Sequence, residues 1–407
     1  MAGIAIQEIS MDKEQRYIRK RIWKAKLQSI PFYLCRVFPI RKKITFCCIE
    51  GTTGYTCNPK YITEELMRRN DGYELVWLVN DMSKQFPNKI KAVHNTLWNR
   101  AYHLSTARFW IDNSRKQLEC RKRKGQIYIQ TWHAKLGFKP TCLDRGASFS
   151  KIAYLVSKHD SDMVDYWLSN SDWYDRTLKT GSLYEGKTLR TGSPRCDILV
   201  NDRTDIREKV RIAYHLTEDA KIIMYAPTFR GGSQGTDREI DVNDGYPDFK
   251  RMTDALSTRF GGTWYVFLRL HPQLVAREMD KTPTMAHTRN IDVSRVDDMY
   301  ELLAGCDAFV TDYSSAAFDA AVMNVPIFLY AQDYTDYEKE RGRLLWDLRK
   351  LPFPLAKNDK ELEKQILGFD RGKYRRELER LFADTKMIED GKAAAHVADK
   401  IKELDAE

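Results

Sequence analysis

The chain has 407 residues, 43% hydrophobic and 12% aromatic, and carries a formal net charge of +10. That length and apolar content suit about two to three packed domains and exclude a disordered or low-complexity chain. The charge calls for an anionic partner, and alone it leaves nucleic acid, an acidic lipid surface and a phosphorylated substrate all open.

Residues 13–43 hold eleven Lys or Arg against one Glu, with Tyr17, Ile18, Ile22, Trp23, Leu27 and Ile30 recurring at helical spacing. This pattern predicts a basic amphipathic helix, followed by the apolar patch PFYLCRVFPI with its prolines at 31 and 39. Such a segment can lie in the headgroup region, its apolar side in the acyl boundary and its cations on anionic lipid. A solvated helix packed on the protein body is the plainer alternative. No apolar stretch approaches the ~20 residues that span a bilayer, and the N-terminus has no secretory h-region. The eight cysteines lack C-x-x-C spacing and read as reduced, buried thiols. The expected location is the cytoplasmic face of the membrane, held peripherally.

Residues 44–49 predict a strand, and Gly51-Thr-Thr-Gly54 then turns toward a helix over 59–69 without forming a G-x-G-x-x-G fingerprint. Further strands are expected at 74–79, 109–112 and 126–131, with helices at 97–105 and 160–168. Strand and helix alternate, which argues for a parallel sheet. TGSPRCDIL at 191–199 reads as a closing turn, and 201–205 as a linker. The second unit repeats the grammar, with strands at 221–226, 264–270, 308–311 and 327–330 and helices at 205–214, 248–260, 297–304 and 315–323. The stretch after 359 is charged and helical. Asp297 and Asp298 sit at a helix start, where capping is the simplest role.

Four segments deliver polar or basic residues to the carboxyl ends of expected strands, where open α/β sheets place their ligands. QTWHAKLGFKP (130–140) brings His133, MYAPTFRGG (224–232) brings Arg230, and FLRLHP (267–272) brings Arg269 and His271. In FVTDYSSAAFDAAVMNVPIFLY (309–330) a strand runs into a serine-capped helix start, the layout of a phosphate-binding βαβ corner with Thr311, Ser314 and Ser315 as hydroxyl donors. An ordinary N-cap explains that corner equally well when it is taken alone.

With His133, Arg230, Arg269-x-His271, Thr311-Asp-Tyr-Ser-Ser315 and Asp319 in this order, the chain resembles the CDP-glycerol glycerophosphotransferase family of teichoic acid and capsule polyol-phosphate transferases, from about residue 44 to about residue 354. One departure stands out: the family's usual Trp-His-Gly is Trp132-His133-Ala134 here, with a different loop after it.

The resemblance implies a GT-B-like α/β fold of two Rossmann-like domains facing a cleft. The expected domains are 44–200 for the acceptor and 201–407 for the CDP donor, with C-terminal helices that return to the first, while 1–43 is expected from its own basic and apolar character to be a membrane-associating segment. The resemblance implies transfer of a polyol phosphate, glycerol phosphate in the first place, from a CDP-alditol to a hydroxyl of a teichoic acid or capsular polysaccharide acceptor, with release of CMP. His133 is then the general base and His271 a general acid or phosphate ligand. Arg230 and Arg269 hold the diphosphate. Thr311, Ser314 and Ser315 cradle it, and Asp319 holds ribose or orients a phosphate ligand. Partners are the CDP-alditol, a lipid-linked or polysaccharide acceptor and an anionic membrane surface. No tightly bound cofactor and no structural metal are expected, while Mg²⁺ held loosely on the diphosphate stays open. Alternatives are a CDP-ribitol donor, a sugar-nucleotide glycosyltransferase, and a basic nucleic-acid-binding protein; the crowding of cations into 13–43 and 115–124 speaks against the last.

Overall fold

A computed structural model describes residues 2–228, 245–270, 289–334, 336–337 and 343–407. Two all-parallel sheets organise them. The first comprises β1 (Arg41–Cys47), β2 (Glu74–Val79), β3 (Ile90–His94), β4 (Ala107–Asp112), β5 (Ile127–Gln130), β6 (Tyr166–Ser169) and β7 (Lys187–Arg190), in the spatial order β3-β2-β1-β4-β5-β6-β7. The second comprises β8 (Lys221–Tyr225), β9 (Trp264–Leu268), β10 (Asn290–Asp292), β11 (Ala308–Thr311), β12 (Ile327–Tyr330) and β13 (Leu355–Ala356), in the order β10-β9-β8-β11-β12-β13.

Both sheets therefore wind outward in both directions from their first strand, the Rossmann arrangement. The order reverses between β1 and β4 and between β8 and β11, and a doubly wound sheet opens its ligand crevice at the carboxyl end of that reversal. Helices cover both faces, so central strands read as unbroken apolar runs. Phe46, Trp77, Trp110, Ile129 and Trp167 in the first sheet, and Ile223, Phe267, Phe309 and Phe328 in the second, are fully buried.

The central strands fall where the sequence predicts them, and the edges do not. The helix expected over 160–168 is a helix at Lys151–Ser161 followed by strand β6. Asp160 ends that helix by accepting from the Lys116 amide at 2.8 Å and the Tyr128 hydroxyl at 3.0 Å. The aromatic run after it pairs with β5 and β7. Strands β3, β7, β10 and β13 were not expected; β3, β7 and β10 alternate or are polar, and β13 has two residues, so each carries little apolar signal.

The last helix, Ala393–Ala406, packs Val397, Ala398, Ile401 and Leu404 into the core of the first sheet. Arg69 pairs with Asp399 at 2.5 Å, and the Tyr73 hydroxyl donates to Asp405 at 2.9 Å. At the other terminus a helix spans Ala2–Gln28 and a short one Ile30–Leu34. Phe32 plugs into the first sheet's core, whereas Trp23, Leu27, Ile30, Tyr33, Leu34, Val37 and Phe38 are exposed. Among the described residues no helix is long and apolar enough to cross a membrane. All eight cysteines are buried and free.

Candidate active site

His133 stands three residues beyond the end of β5, beside the reversal point of the first sheet. Its Nδ1 lies 2.8 Å from the Asn113 carbonyl oxygen at the end of β4. A carbonyl only accepts, so Nδ1 carries the proton and Nε2 keeps a free lone pair, the state a general base needs. Burial pushes the imidazole down to about 4, the Asn113 carbonyl opposes this, and Arg195, Arg115 and Lys135 add to the depression. The ring is neutral at pH 7 and sits among cations.

The loop that presents it is strained and held. Trp132 has φ 48°, a left-handed conformation that costs a bulky residue about 1–3 kcal/mol. Its amide donates to Gln130 at 2.9 Å, its carbonyl accepts from Asn58 at 2.7 Å, and its ring lies against His133 at 4.6 Å with the Arg115 guanidinium over it. Lys135 is buried and donates to the Thr131 carbonyl at 2.6 Å and to that of Leu168. Burial and the neighbouring Arg195 lower its ammonium to about 7, against the pull of Glu389, Cys57 and Asp319.

Residues 136–138 then leave the first half of the molecule. Leu136 and Phe138 are buried in the core of the second sheet, and the Phe138 ring lies 4.8 Å from that of Phe318. Leu345 donates to the Phe138 carbonyl at 2.8 Å, and Trp346 Nε1 to that of Gly137 at 3.1 Å. A Cβ built on Gly137 would meet Ser315 at 4.0 Å. The sequence assigned this loop to the acceptor half; the structure makes it a plug that seats His133's own loop beside the 311–315 corner.

A second tie runs through Arg195, in the closing turn. Its Nη2 meets Asp319 Oδ2 at 2.5 Å, both side chains being buried, and the Tyr300 hydroxyl donates to the same oxygen at 2.5 Å. Asp319 Oδ2 is thus committed to a cation and a phenol, a bracing role beside the expected one of holding ribose or orienting a phosphate ligand. Burial works against the guanidinium's charge, and Asp319 more than restores it. Lys60 reaches across in the same way to Asp298 at 2.6 Å and Glu301 at 2.5 Å, with the Tyr61 hydroxyl on Asp298 at 2.8 Å. Asp298 also caps its helix through the Tyr300 amide at 2.9 Å, so the capping expectation is met and a bridging role added.

The 311–315 corner has the expected strand-turn-helix-strand layout, with the helix limited to Ala316–Ala321. Thr311 is fully buried and donates to the Ala226 carbonyl at 2.6 Å, tying β11 to β8, so its hydroxyl proton is not on offer to a phosphate. Ser314 accepts from the Ala316 amide at 3.3 Å, and Ser315 makes no side-chain cap bond. Asp312 turns inward and accepts the Thr228 amide at 2.9 Å. Arg269 is likewise engaged: its Nη1 donates to the carbonyls of Val293, at 2.7 Å, and Val296, and burial lowers its affinity for protons. Through Nη1 it braces the loop after β10, a role beside the expected one of holding the diphosphate. Arg230 and His271 lie outside the described residues.

Around Arg195 the residues that were not foreseen cluster. Glu389, from the segment before the last helix, accepts from Asn170 and the Ser193 amide, each at 2.9 Å, and burial raises its carboxyl to about 8. Cys57 lies 3.4 Å from Arg195 Nη1, and the Cys48 thiol beside it holds its proton affinity below the usual thiol range. Among the described residues no group of three or more His, Cys, Asp or Glu comes close enough to hold a metal ion. Only TGSPRCDIL carried a signal for this cluster, since an Arg in a tight Pro-containing turn is well placed to reach across a cleft.

A family model described as CDP-Glycerol:Poly(glycerophosphate) glycerophosphotransferase matches residues 31–403. A teichoic acid poly(glycerol phosphate) polymerase of Staphylococcus epidermidis is 27% identical, over 86% of this chain and 49% of its own length. A teichoic acid poly(ribitol-phosphate) polymerase of Bacillus spizizenii is 26% identical, over 98% of this chain and 62% of its own. The chain thus spans about half to three-fifths of these two relatives. The solved structure of the wall teichoic acid polymerase TagF superposes with a TM-score of 0.78 at 25% identity, covering 98% of each chain, and a variant of it was soaked with CDPG. The fold is GT-B-like, and with the family model running over nearly the whole chain, this protein belongs to the CDP-glycerol:poly(glycerophosphate) glycerophosphotransferase family.

Proposed function

We propose that the chain transfers a polyol phosphate, glycerol phosphate in the first place, from a CDP-alditol to a hydroxyl of a teichoic acid or capsular polysaccharide acceptor. The observation that carries this reading is His133: an Nε2 lone pair left free by the Asn113 carbonyl, in a ring kept neutral amid Arg195, Arg115 and Lys135. In the reaction Nε2 takes the acceptor hydroxyl's proton, and the oxygen attacks the phosphorus that bears the alditol. The bond from that phosphorus to the bridging oxygen breaks, and CMP departs with the electron pair. The surrounding cations favour an anionic donor and its developing charge.

Ser314 and Ser315, across from Gly137, are the proposed contacts for the diphosphate, and on sequence grounds Arg230 and His271 remain proposed there as phosphate ligands. Glycerol phosphate ranks ahead of ribitol phosphate because the family model's description and the S. epidermidis relative name glycerol. The exposed apolar side chains over 23–38, beside the cations of 13–43, support peripheral attachment to an anionic membrane. CMP release measured with CDP-glycerol and, separately, CDP-ribitol, on a lipid-linked acceptor, tests the reading. Release from CDP-glycerol is expected, and release from neither donor would remove the proposal.

A further inference from the structure

On the opposite end of the second sheet from the cleft, the amino ends of β8, β9, β11 and β12 surround a pocket of about 360 Å³. Its wall holds Arg203, Arg207, Lys221 and Arg371 against one carboxylate, Asp307. Asp307 pairs with one of the four and has no capacity left for the other three: Oδ1 meets Arg207 at 2.6 Å, and Oδ2 takes Arg211 at 3.0 Å and the Ile222 amide at 2.9 Å. Arg203 and Lys221 are held by carbonyls, Ala304 at 2.9 Å and Phe260 at 2.5 Å, which fix their positions without cancelling their charge. Arg371, exposed at the start of the helix Arg371–Thr385, has no ion pair among the described residues. Its neighbour Asp370 is engaged in capping the Lys373 amide at 2.9 Å.

Asn324 adds a different chemistry. It lines the same pocket in a left-handed conformation, φ 55°, and its side-chain Oδ1 is closed to water and lacks a hydrogen-bond partner among the described residues, so a donor in the pocket reaches it when the side chain turns. An unpaired buried amide oxygen costs about 1–3 kcal/mol unless an occupant supplies a donor. Guanidinium forks match phosphate oxygens, and a carboxamide oxygen matches a hydroxyl.

From this pairing of surplus guanidinium charge with an unmet amide we infer that the pocket is a binding site, separate from the catalytic cleft, for a phosphate ester that carries hydroxyls. Its volume accommodates more than an inorganic ion. Such an ester is either a free polyol phosphate or one unit of a polyol-phosphate chain; the second source rests on the function proposed above. Residues 323–326, which line the pocket, follow the helix Ala316–Ala321 after its cap Val322, so an occupant lies against the far end of the element that borders the cleft.

The test is calorimetric titration of the full chain with sn-glycerol 3-phosphate, inorganic phosphate and a soluble glycerol phosphate oligomer, each with CDP saturating the cleft. Binding should persist under CDP and weaken roughly tenfold or more in Arg371→Glu. Asn324→Gly, which keeps the left-handed backbone, should weaken glycerol phosphate and leave inorganic phosphate unchanged. Arg371→Glu should keep the wild-type unfolding midpoint, and Asn324→Gly, which removes the unmet amide, should not fall below it. An oligomer that binds more tightly than the monomer identifies the chain as the source, and equal affinities identify the free ester. Abolition of all binding by CDP, or affinities unchanged in Arg371→Glu, would overturn the site. Failure of CMP release with this binding intact would remove the proposed function and leave the pocket standing.

Discussion

The two reversal points have the same topology and use their residues differently. In the first sheet the crevice offers a side chain: His133 is oriented by Asn113, backed by Trp132 and ringed by Arg115, Lys135 and Arg195. In the second, Thr311 and Asp312 hold the corner together through Ala226 and Thr228. Identical winding thus fixes where a site opens and leaves open whether side chains or the backbone around them supply the contacts. The two crevices are also locked to each other by the 136–138 plug and the Arg195–Asp319 pair.

Breaking that lock should give the largest loss. Arg195→Ala leaves Asp319 buried with only Tyr300 beside it, and denaturant unfolding should show a loss of about 3–5 kcal/mol. Arg195→Met combined with Asp319→Leu should recover much of that stability while CMP release stays low, because the pair positions the halves more than it stabilises them. Should the single variant unfold like wild type, the lock is not structural. Phe138→Ala empties the plug's socket against Phe318 and should cost about 3 kcal/mol by the same measurement. A loss confined to well under 1 kcal/mol would mean the loop is seated by its backbone bonds from Leu345 and Trp346 alone.

These ties also mark how far the sequence was legible. The central strands, the helix return at the C-terminus and the position of His133 just past a strand could be read because apolar runs and a polar residue at a strand's end are local signals. Arg195, Lys60, Glu389 and Lys135 could not, because each acquires its role from a partner far along the chain, Asp319 for Arg195 and Asp298 for Lys60. Asp319 and Arg269 were noticed as charged residues near a crevice, and their buried bracing contacts were not foreseen, since spacing cannot tell a ligand contact from a brace.

The smallest expected effect is in pH dependence, and it sharpens the contrast between the crevices. His133 titrates near 6.5 when unfolded and about 4 in the fold, so between those values the unfolded chain binds more protons. Its contribution to stability is complete above the upper value and declines as pH falls toward the lower. The acid limb of kcat/KM should accordingly lie near 4, and a limb at the ordinary imidazole value would show that the ring is not desolvated. Lys135, held at about 7, should add an alkaline limb there that Lys135→Met removes.

The most direct test of the account is CMP release from CDP-glycerol by His133→Ala beside wild type, at matched unfolding midpoints and with the same lipid-linked acceptor. A fall of roughly 10²–10⁴-fold with donor binding retained is the predicted result. Turnover within a few-fold of wild type would contradict the assignment of the acceptor's proton to Nε2 of His133.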